Sequence, residues 1–354
     1  SSTSTSTTSK WVAYLHQRRF AAPTLVQILE SGADATERWA RTTGLKRPTL
    51  LKEAPPGLVI PKKFDVKDVV ASIGERYPLS VMNARDQSES AQDWSLGDWL
   101  SYWESDKPRR SVLNVISLEI SKTKLADKVR SPSFVRKVDW IDDAWPESLR
   151  ARGEYPQTQY YCLMSAAGSY TDFHVDFGGT AVWYHVVKGK KIFYLAAPTK
   201  ERLATYETWI CSKNQDSQFF ADLLEDDDAT CQVELLPGQT LVIPSAWLHA
   251  VYTPEDSLVF GGNFLPGLST IADQLAVHGL ETRARVAQKF RFPFFTSAMF
   301  FGLAHTLKRL RRRPEAGGRT CLSSTERDGL DALVAACRVW AQPNGLDARA
   351  TAHA

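Results

Sequence analysis

The chain has 354 residues, 43% of them hydrophobic and 11% aromatic, so it can bury a large core and is long for a single β-barrel. Its formal net charge of +3 is too small to predict a bulk attraction to nucleic acid. Five scattered cysteines without a Cys-x-x-Cys pair favour neither a disulfide framework nor a zinc finger, and no apolar run is long enough to predict a membrane span or a secretory signal.

The amino-terminal part is predicted to be mainly helical. Residues 1–9 are almost all serine and threonine, which cannot bury apolar surface, so they are expected to be disordered or a linker. Helical apolar spacing follows over 10–45, a short helix is predicted to begin at Asp65, and a tryptophan-rich helix is predicted within 94–104. Residues 10–110 are therefore interpreted as a helical lead-in that packs on a barrel.

From about residue 111 to 266 the pattern changes to short aromatic and β-branched runs bounded by Gly, Pro and Asp. Runs of this kind are typical of an antiparallel barrel or jelly roll. The predicted fold class is therefore α+β, with a jelly-roll barrel between amino-terminal and carboxy-terminal helical additions.

Two histidines and one aspartate in this region form a metal-binding pattern. His174 and Asp176 are two residues apart on a predicted strand, so their side chains point the same way, and His249 follows in a distant segment. Two imidazoles and one carboxylate leave positions open on Fe(II) for a cosubstrate and dioxygen, the arrangement of non-haem oxygenases. The tripeptide alone also occurs by chance. His185, eleven residues after His174, is expected to be a packed histidine rather than a ligand.

Lys191 is predicted to lie on the strand after a glycine turn, where its ammonium would reach into the barrel. A buried ammonium needs a counter-charge, which the far carboxylate of an iron-chelating dicarboxylic acid would supply. Thr171 is placed to donate a hydrogen bond to the same carboxylate. The alternative is that Lys191 is a solvated strand residue, like Lys188 and Lys190 beside it.

A resemblance to a known family rests mainly on the segments 161–165, 169–180, 182–185, 242–254 and 258–265. They closely resemble the JmjC histone lysine demethylases of the lysine demethylase 2 and 7 group, nearer to the lysine demethylase 2, F-box-type branch. The likeness covers roughly residues 45–310. It implies a JmjC cupin-type double-stranded β-helix as the catalytic barrel over 111–266.

The resemblance also implies roles for nine residues. They are His174, Asp176 and His249 as iron ligands and catalytic centre, Thr171, Lys191, Asn114 and Tyr184 around the cosubstrate 2-oxoglutarate, and Tyr161 and Asn263 near the methyl-lysine tunnel. For Tyr161 and Asn263, ordinary barrel packing stays open as an alternative. Pro266 and Gly267 replace the family's usual His-Ser pair, which puts the substrate-side wall in question but not the iron site.

The function implied by the resemblance is that of a nuclear Fe(II)- and 2-oxoglutarate-dependent dioxygenase. It would demethylate mono- and dimethyl-lysine in the histone H3 tail, releasing formaldehyde and succinate. Lysine 36 of histone H3 is the leading target, and lysine 9 or 27 is the second. Two other classes remain open: a JmjC protein hydroxylase, and a non-catalytic chromatin-binding scaffold, against which the intact ligand set argues.

The carboxy-terminal part is predicted to be helical, with helices over 267–313 and one further helix in the tail, 314–354. A basic cluster ends the second helix: Lys308, Arg309, Arg311, Arg312 and Arg313. It is interpreted either as a contact for nucleosomal DNA or an import signal, or as charge that compensates the helix dipole. The acidic run 225–228 is expected to be a solvated loop, with contact to a basic histone tail as the alternative.

Overall fold

The protein is represented by a computed structural model, which describes residues 8–212, 214–224, 229–311 and 322–342. The helices are α1 (Lys10–Gln17), α2 (Glu37–Thr43), α3 (Val66–Ile73), α4 (Leu96–Trp103), α5 (Ser133–Val138), α6 (Trp140–Asp143), α7 (Glu147–Ala151), α8 (Lys200–Cys211), α9 (Ile271–Arg283), α10 (Phe295–Arg311) and α11 (Ser324–Trp340). The strands are β1 (Gln27–Leu29), β2 (Thr49–Leu51), β3 (Pro78–Leu79), β4 (Met82–Asn83), β5 (Trp94–Ser95), β6 (Leu113–Glu119), β7 (Tyr161–Ser165), β8 (Ser169–His174), β9 (Ala181–Ala196), β10 (Thr230–Leu235), β11 (Thr240–Ile243) and β12 (Leu248–Phe264).

Two long strands organise the main sheet. Strand β9 has 16 residues and β12 has 17, and they pair antiparallel along most of their length. On its other edge β12 pairs first with β8 and then with β7, while β9 pairs with β11 and then with β10. Each long strand thus pairs with two different strands along one edge, as in a jelly roll. The predicted α+β fold class with a jelly-roll barrel is confirmed.

The amino-terminal segment supplies strands as well as helices. Strands β1 and β2 pair in parallel, β2 pairs with β11, and β4 pairs with β6, so this segment extends the barrel sheet. The helical patterning predicted over 10–45 is wrong at β1, and no sequence pattern predicted β2. All three residues of β2 are buried, and its pairing partner β11 lies about 190 residues further along the chain, so tertiary context decides its conformation.

Helix α4 agrees with the tryptophan-rich pattern that predicted it. Ser95 and Asp98 form a capping box at its start, in which each side chain accepts a hydrogen bond from the other residue's backbone N–H. Trp99 on this helix is fully buried in the same apolar cluster as Trp183 of β9. The helix therefore packs on the barrel.

The carboxy-terminal helices α9, α10 and α11 share a second apolar core with α6. Helix α9 is flanked by 3-10 turns at Leu268–Thr270 and Gln288–Phe290, and it packs over a further 3-10 turn, Phe177–Gly179, directly after Asp176. None of the helices in the described part of the chain is long and apolar enough to cross a membrane. Residues 1–7, the acidic run 225–228 and Arg312 and Arg313 lie outside the described residues.

Candidate metal centre

His174, Asp176 and His249 meet at one end of the barrel. His174 is the last residue of β8 and the cross-strand partner of His249 near the start of β12. Their ring centroids are 4.2 Å apart, and the His249 Nε2 lies 3.7 Å from the Asp176 Oδ2. One potential ligand atom from each residue lies within 4.8 Å of the others, and no other such group of three occurs among the described residues.

Backbone carbonyls orient both imidazole rings. The Nδ1 of His174 donates to the Asp172 carbonyl oxygen at 2.8 Å, and the Nδ1 of His249 donates to the Trp247 carbonyl oxygen at 3.0 Å. Because a carbonyl only accepts, each Nδ1 carries a proton, and the Nε2 of each ring is the nitrogen that would be available to a metal. Burial lowers the pKa of His249 to about 4, and the neighbouring His174 acts in the same direction, so this ring is neutral near pH 7.

Asn263 supports the carboxylate of Asp176. Its Nδ2 donates to the Asp176 Oδ1 at 3.3 Å and to the Thr180 Oγ1 at 2.9 Å, and the side chain is buried. The sequence placed Asn263 near the methyl-lysine tunnel, and its contact with the carboxylate was not foreseen. Its side chain therefore has a defined structural partner at the metal centre.

An irregularity in β8 explains how Thr171 and His174 face the same side. Residues three apart on a regular strand point to opposite faces. Here His249 pairs with His174 but Val251 pairs with Thr171, so β8 carries one extra residue between these pairs. Such a β-bulge shifts the alternation by one and turns Thr171 toward the barrel interior with His174.

A polar network crosses the barrel beside these residues. The Lys191 Nζ donates to the Ser165 Oγ at 2.6 Å and to the Thr253 Oγ1 at 2.8 Å. The Ser165 hydroxyl donates to the Asn114 Oδ1 at 2.7 Å, and the Asn114 Nδ2 donates to the Thr171 Oγ1 at 3.2 Å. The structure thus joins three of the four residues predicted around a cosubstrate. Ser165 and Thr253 were missed, although hydroxyl side chains on core strands of the barrel were a usable signal.

Lys191 is shielded from solvent, unlike the neighbouring Lys188 and Lys190. Lys188 and Lys190 form ion pairs with Asp65 and Glu234 near the surface, whereas the side chain of Lys191 is only 2% exposed. Burial lowers the pKa of Lys191 to about 7, and no carboxylate of the described residues lies within ion-pair distance of its Nζ. The solvated alternative for Lys191 is wrong.

The comparisons with known proteins agree with this geometry. The profile of the cupin-like domain family matches residues 82–264. Over 308 residues the chain is 39% identical to a JmjC domain-containing histone demethylation protein 1 of Yarrowia lipolytica, covering 86% of this chain and 59% of the relative. It is 40% identical to the lysine-specific demethylase 2A of Xenopus tropicalis over 80% of this chain. This chain is a JmjC-domain member of the cupin-like family.

The predicted resemblance of this JmjC chain is therefore confirmed. A third relative, the lysine-specific demethylase 2B of Mus musculus, is 41% identical over 77% of the chain. The chain spans 25% of the length of the Xenopus relative and 21% of the mouse relative. The region that matches this chain is therefore only a part of these two longer relatives.

Two tyrosines of the JmjC barrel lie near the centre in different environments. Tyr184 is buried and packs edge-to-face on Phe193, with centroids 5.0 Å apart, and the Phe193 ring lies 6.3 Å from that of His249. Burial raises the pKa of Tyr184, so its hydroxyl stays protonated. Tyr161 is half-buried on β7, and burial together with the nearby Glu119 raises its pKa. No hydrogen bond of the network reaches Tyr184 or Tyr161.

The remaining candidates of the JmjC chain lie elsewhere. His185 is buried, and its Nδ1 forms a 2.8 Å hydrogen bond with the Thr240 hydroxyl, which confirms it as a packed histidine. Lys308, Arg309 and Arg311 are exposed in the last turn of α10. Their position at the end of the helix is compatible with a contact to nucleosomal DNA, with an import signal and with compensation of the helix dipole.

Proposed function

We propose that this JmjC chain is an Fe(II)- and 2-oxoglutarate-dependent dioxygenase that removes methyl groups from mono- and dimethyl-lysine in histone H3. The observation that carries the proposal is the convergence of one ligand atom each from His174, Asp176 and His249 within 4.8 Å. Two imidazoles and one carboxylate fit a divalent iron ion with open coordination positions. The names of the relatives, histone demethylation protein 1 and lysine-specific demethylases 2A and 2B, support the reaction.

Iron would be held by the Nε2 atoms of His174 and His249 and by the carboxylate of Asp176. The buried Lys191 without an acidic partner among the described residues suits the far carboxylate of 2-oxoglutarate, because an anion there would restore charge balance. Thr171 would donate to the same carboxylate, and Asn114 and Tyr184 would line the cosubstrate.

Bound together, iron and 2-oxoglutarate supply the oxidation of an N-methyl group by dioxygen, giving formaldehyde, succinate and carbon dioxide. The chain's own residues orient the reactants and exclude water. No side chain is required as a general base. Tyr161 and Asn263 would lie at the methyl-lysine end of the site.

The preferred substrate is lysine 36 of histone H3, by the resemblance to the lysine demethylase 2 branch, with lysine 9 or 27 as the second choice. A nuclear location and the nucleosome as partner follow from this substrate. Lys308, Arg309 and Arg311, with Arg312 and Arg313 outside the described residues, would then contact nucleosomal DNA through its phosphates.

Mass spectrometry of histone H3 peptides dimethylated at lysine 36, 9 or 27 tests the proposal. With Fe(II), 2-oxoglutarate and ascorbate, the lysine 36 peptide is expected to lose the mass of one or two CH2 groups. His174→Ala should abolish the loss, and His16→Ala, which replaces an exposed histidine on α1, should leave it unchanged. A gain of one oxygen atom would identify a hydroxylase instead, and unchanged peptides would contradict the proposal.

A further inference from the structure

The turn that follows Asp176 has a backbone that only glycine adopts readily. Gly178 and Gly179 lie in the left-handed region, with φ values of 59° and 61°. The Gly179 N–H donates to the Asp176 carbonyl oxygen at 2.9 Å, which closes the turn directly on that residue. The conformation of the turn therefore sets the direction in which the backbone carries the Asp176 side chain.

The carboxy-terminal helical region covers this turn without leaving room for a side chain. A Cβ atom added to Gly178 would lie 2.8 Å from the Cβ of Phe292, and one added to Gly179 would lie 2.9 Å from the Cα of Gln274. Both distances are shorter than ordinary van der Waals contact. The turn is thus pressed between the barrel and the segment 271–295.

Glu281 of α9 provides a polar contact in this otherwise apolar interface. Its Oε1 accepts a hydrogen bond from the Gly178 N–H at 2.7 Å, and the residue is only 5% exposed. The Oε2 is buried and has no hydrogen-bond partner among the described residues. A half-satisfied buried carboxyl group is unfavourable for stability, so a role in folding alone does not account for it.

We propose that Glu281 is a positioning residue for the metal centre: by holding the Gly178 N–H from α9, it fixes the turn that directs the Asp176 carboxylate toward the metal. This inference rests on the proposed metal centre and adds the carboxy-terminal helices to it. Asn263 supports the carboxylate from the barrel side, and Glu281 supports its turn from the helix side.

Groups outside the ligand shell that orient metal ligands affect metal affinity as well as activity. A clamp on the turn should therefore change the affinity of the chain for a divalent ion even when the fold is intact. A residue that only stabilises α9 should lower the unfolding temperature without changing the affinity of the folded protein.

Isothermal titration of Mn(II) into the whole chain separates a role in positioning Asp176 from a role in stabilising α9. Glu281→Ala removes the acceptor, and Glu281→Gln keeps an acceptor oxygen in nearly the same shape. Burial raises the pKa of Glu281 to about 7, so an uncharged amide is a close substitute. Leu333→Ala is the matched control, because Leu333 is buried in the apolar core shared by α9, α10 and α11 but lies on α11.

We expect Glu281→Ala to weaken Mn(II) binding roughly 10- to 100-fold, with Glu281→Gln within a few-fold of the native chain. Leu333→Ala should leave the affinity unchanged while lowering the unfolding temperature. Equal affinities in Glu281→Ala and Leu333→Ala, or a Glu281→Gln variant as weak as Glu281→Ala, would overturn the inference. A native chain that binds no Mn(II) would contradict the metal centre itself.

Discussion

Lys191 is a buried ammonium whose hydrogen-bond partners in the described structure are the hydroxyls of Ser165 and Thr253. Its low pKa reflects the cost of burying the charge, and this cost links folding to pH. Between about pH 7 and the ordinary lysine pKa of 10.5, the unfolded chain binds a proton that the native chain lacks. The free energy of unfolding therefore rises with pH across this window, and below it the full cost is present.

Replacing Lys191 by methionine is expected to stabilise the chain in the absence of ligands. Replacement of buried charges by apolar groups is often neutral or favourable by on the order of 1–4 kcal/mol. Denaturant unfolding at about pH 6 should show the largest gain for Lys191→Met, and the gain should shrink at about pH 9.5. Lys191→Met should also lose 2-oxoglutarate binding. A variant less stable than the native chain at both pH values would refute this account of Lys191.

Asn263 has two competing interpretations, which kinetics can separate. As a support for Asp176, it should affect the binding of the metal, whereas as a wall of the methyl-lysine tunnel it should affect the KM for the peptide. Because the hydrogen bond to the Asp176 Oδ1 is present in the structure, we expect Asn263→Ala to weaken metal binding roughly 10-fold. Titration with Mn(II), beside peptide kinetics at saturating metal, gives both quantities. A change in KM alone would favour the tunnel.

Among the single elements, helices with local signals and the strands of the barrel were predictable, whereas the short strands β1 and β2 of the amino-terminal segment were not. Helices α3, α4 and α11 carry capping boxes, whose side chains are three residues apart and so can be read along the sequence. Strand β1 pairs with β2, and β2 pairs with β11, and no local sequence pattern predicts these pairings.

The same distinction applies to the site. His174 and Asp176 follow from strand alternation, His249 and Lys191 follow from their places in later predicted strand segments, and the resemblance to known sequences assigns their roles. The bulge that brings Thr171 beside His174 is a matter of register between β8 and β12, which the sequence does not express. The contact between Glu281 and Gly178 spans 103 residues and needs the packed helices to exist.

The capping box of α11 allows a prediction at this scale. The Ser323 Oγ accepts from the Glu326 N–H at 3.2 Å, and the Glu326 carboxylate accepts from the Ser323 N–H at 2.9 Å. Ser323→Ala should lower the free energy of unfolding by about 1 kcal/mol. Thermal unfolding should show this loss, while Ser324→Ala at the next exposed position should have little effect. Equal stabilities of the two variants would mean that the cap does not stabilise α11.

Across the whole molecule, both helical additions contact the backbone beside the proposed metal centre. From the amino-terminal side, the Gln87 Nε2 donates to the Tyr170 carbonyl oxygen at 2.8 Å, and its Oε1 accepts from the Asp172 N–H at 3.2 Å, which holds β8 beside His174. From the carboxy-terminal side, Glu281 holds the turn after Asp176. The barrel would supply the metal ligands, and the additions restrain the backbone that carries those residues.

Anaerobic titration of the chain with Fe(II), followed by 2-oxoglutarate, is the decisive test of the proposed iron and cosubstrate site. We expect one iron per native chain, loss of iron binding in Asp176→Ala, and a Lys191→Ala variant that binds iron but no longer binds 2-oxoglutarate. The separation arises because the ligand set and the buried ammonium would hold different parts of the same complex. Iron binding that persists in Asp176→Ala, or 2-oxoglutarate affinity unchanged in Lys191→Ala, would contradict the proposed site.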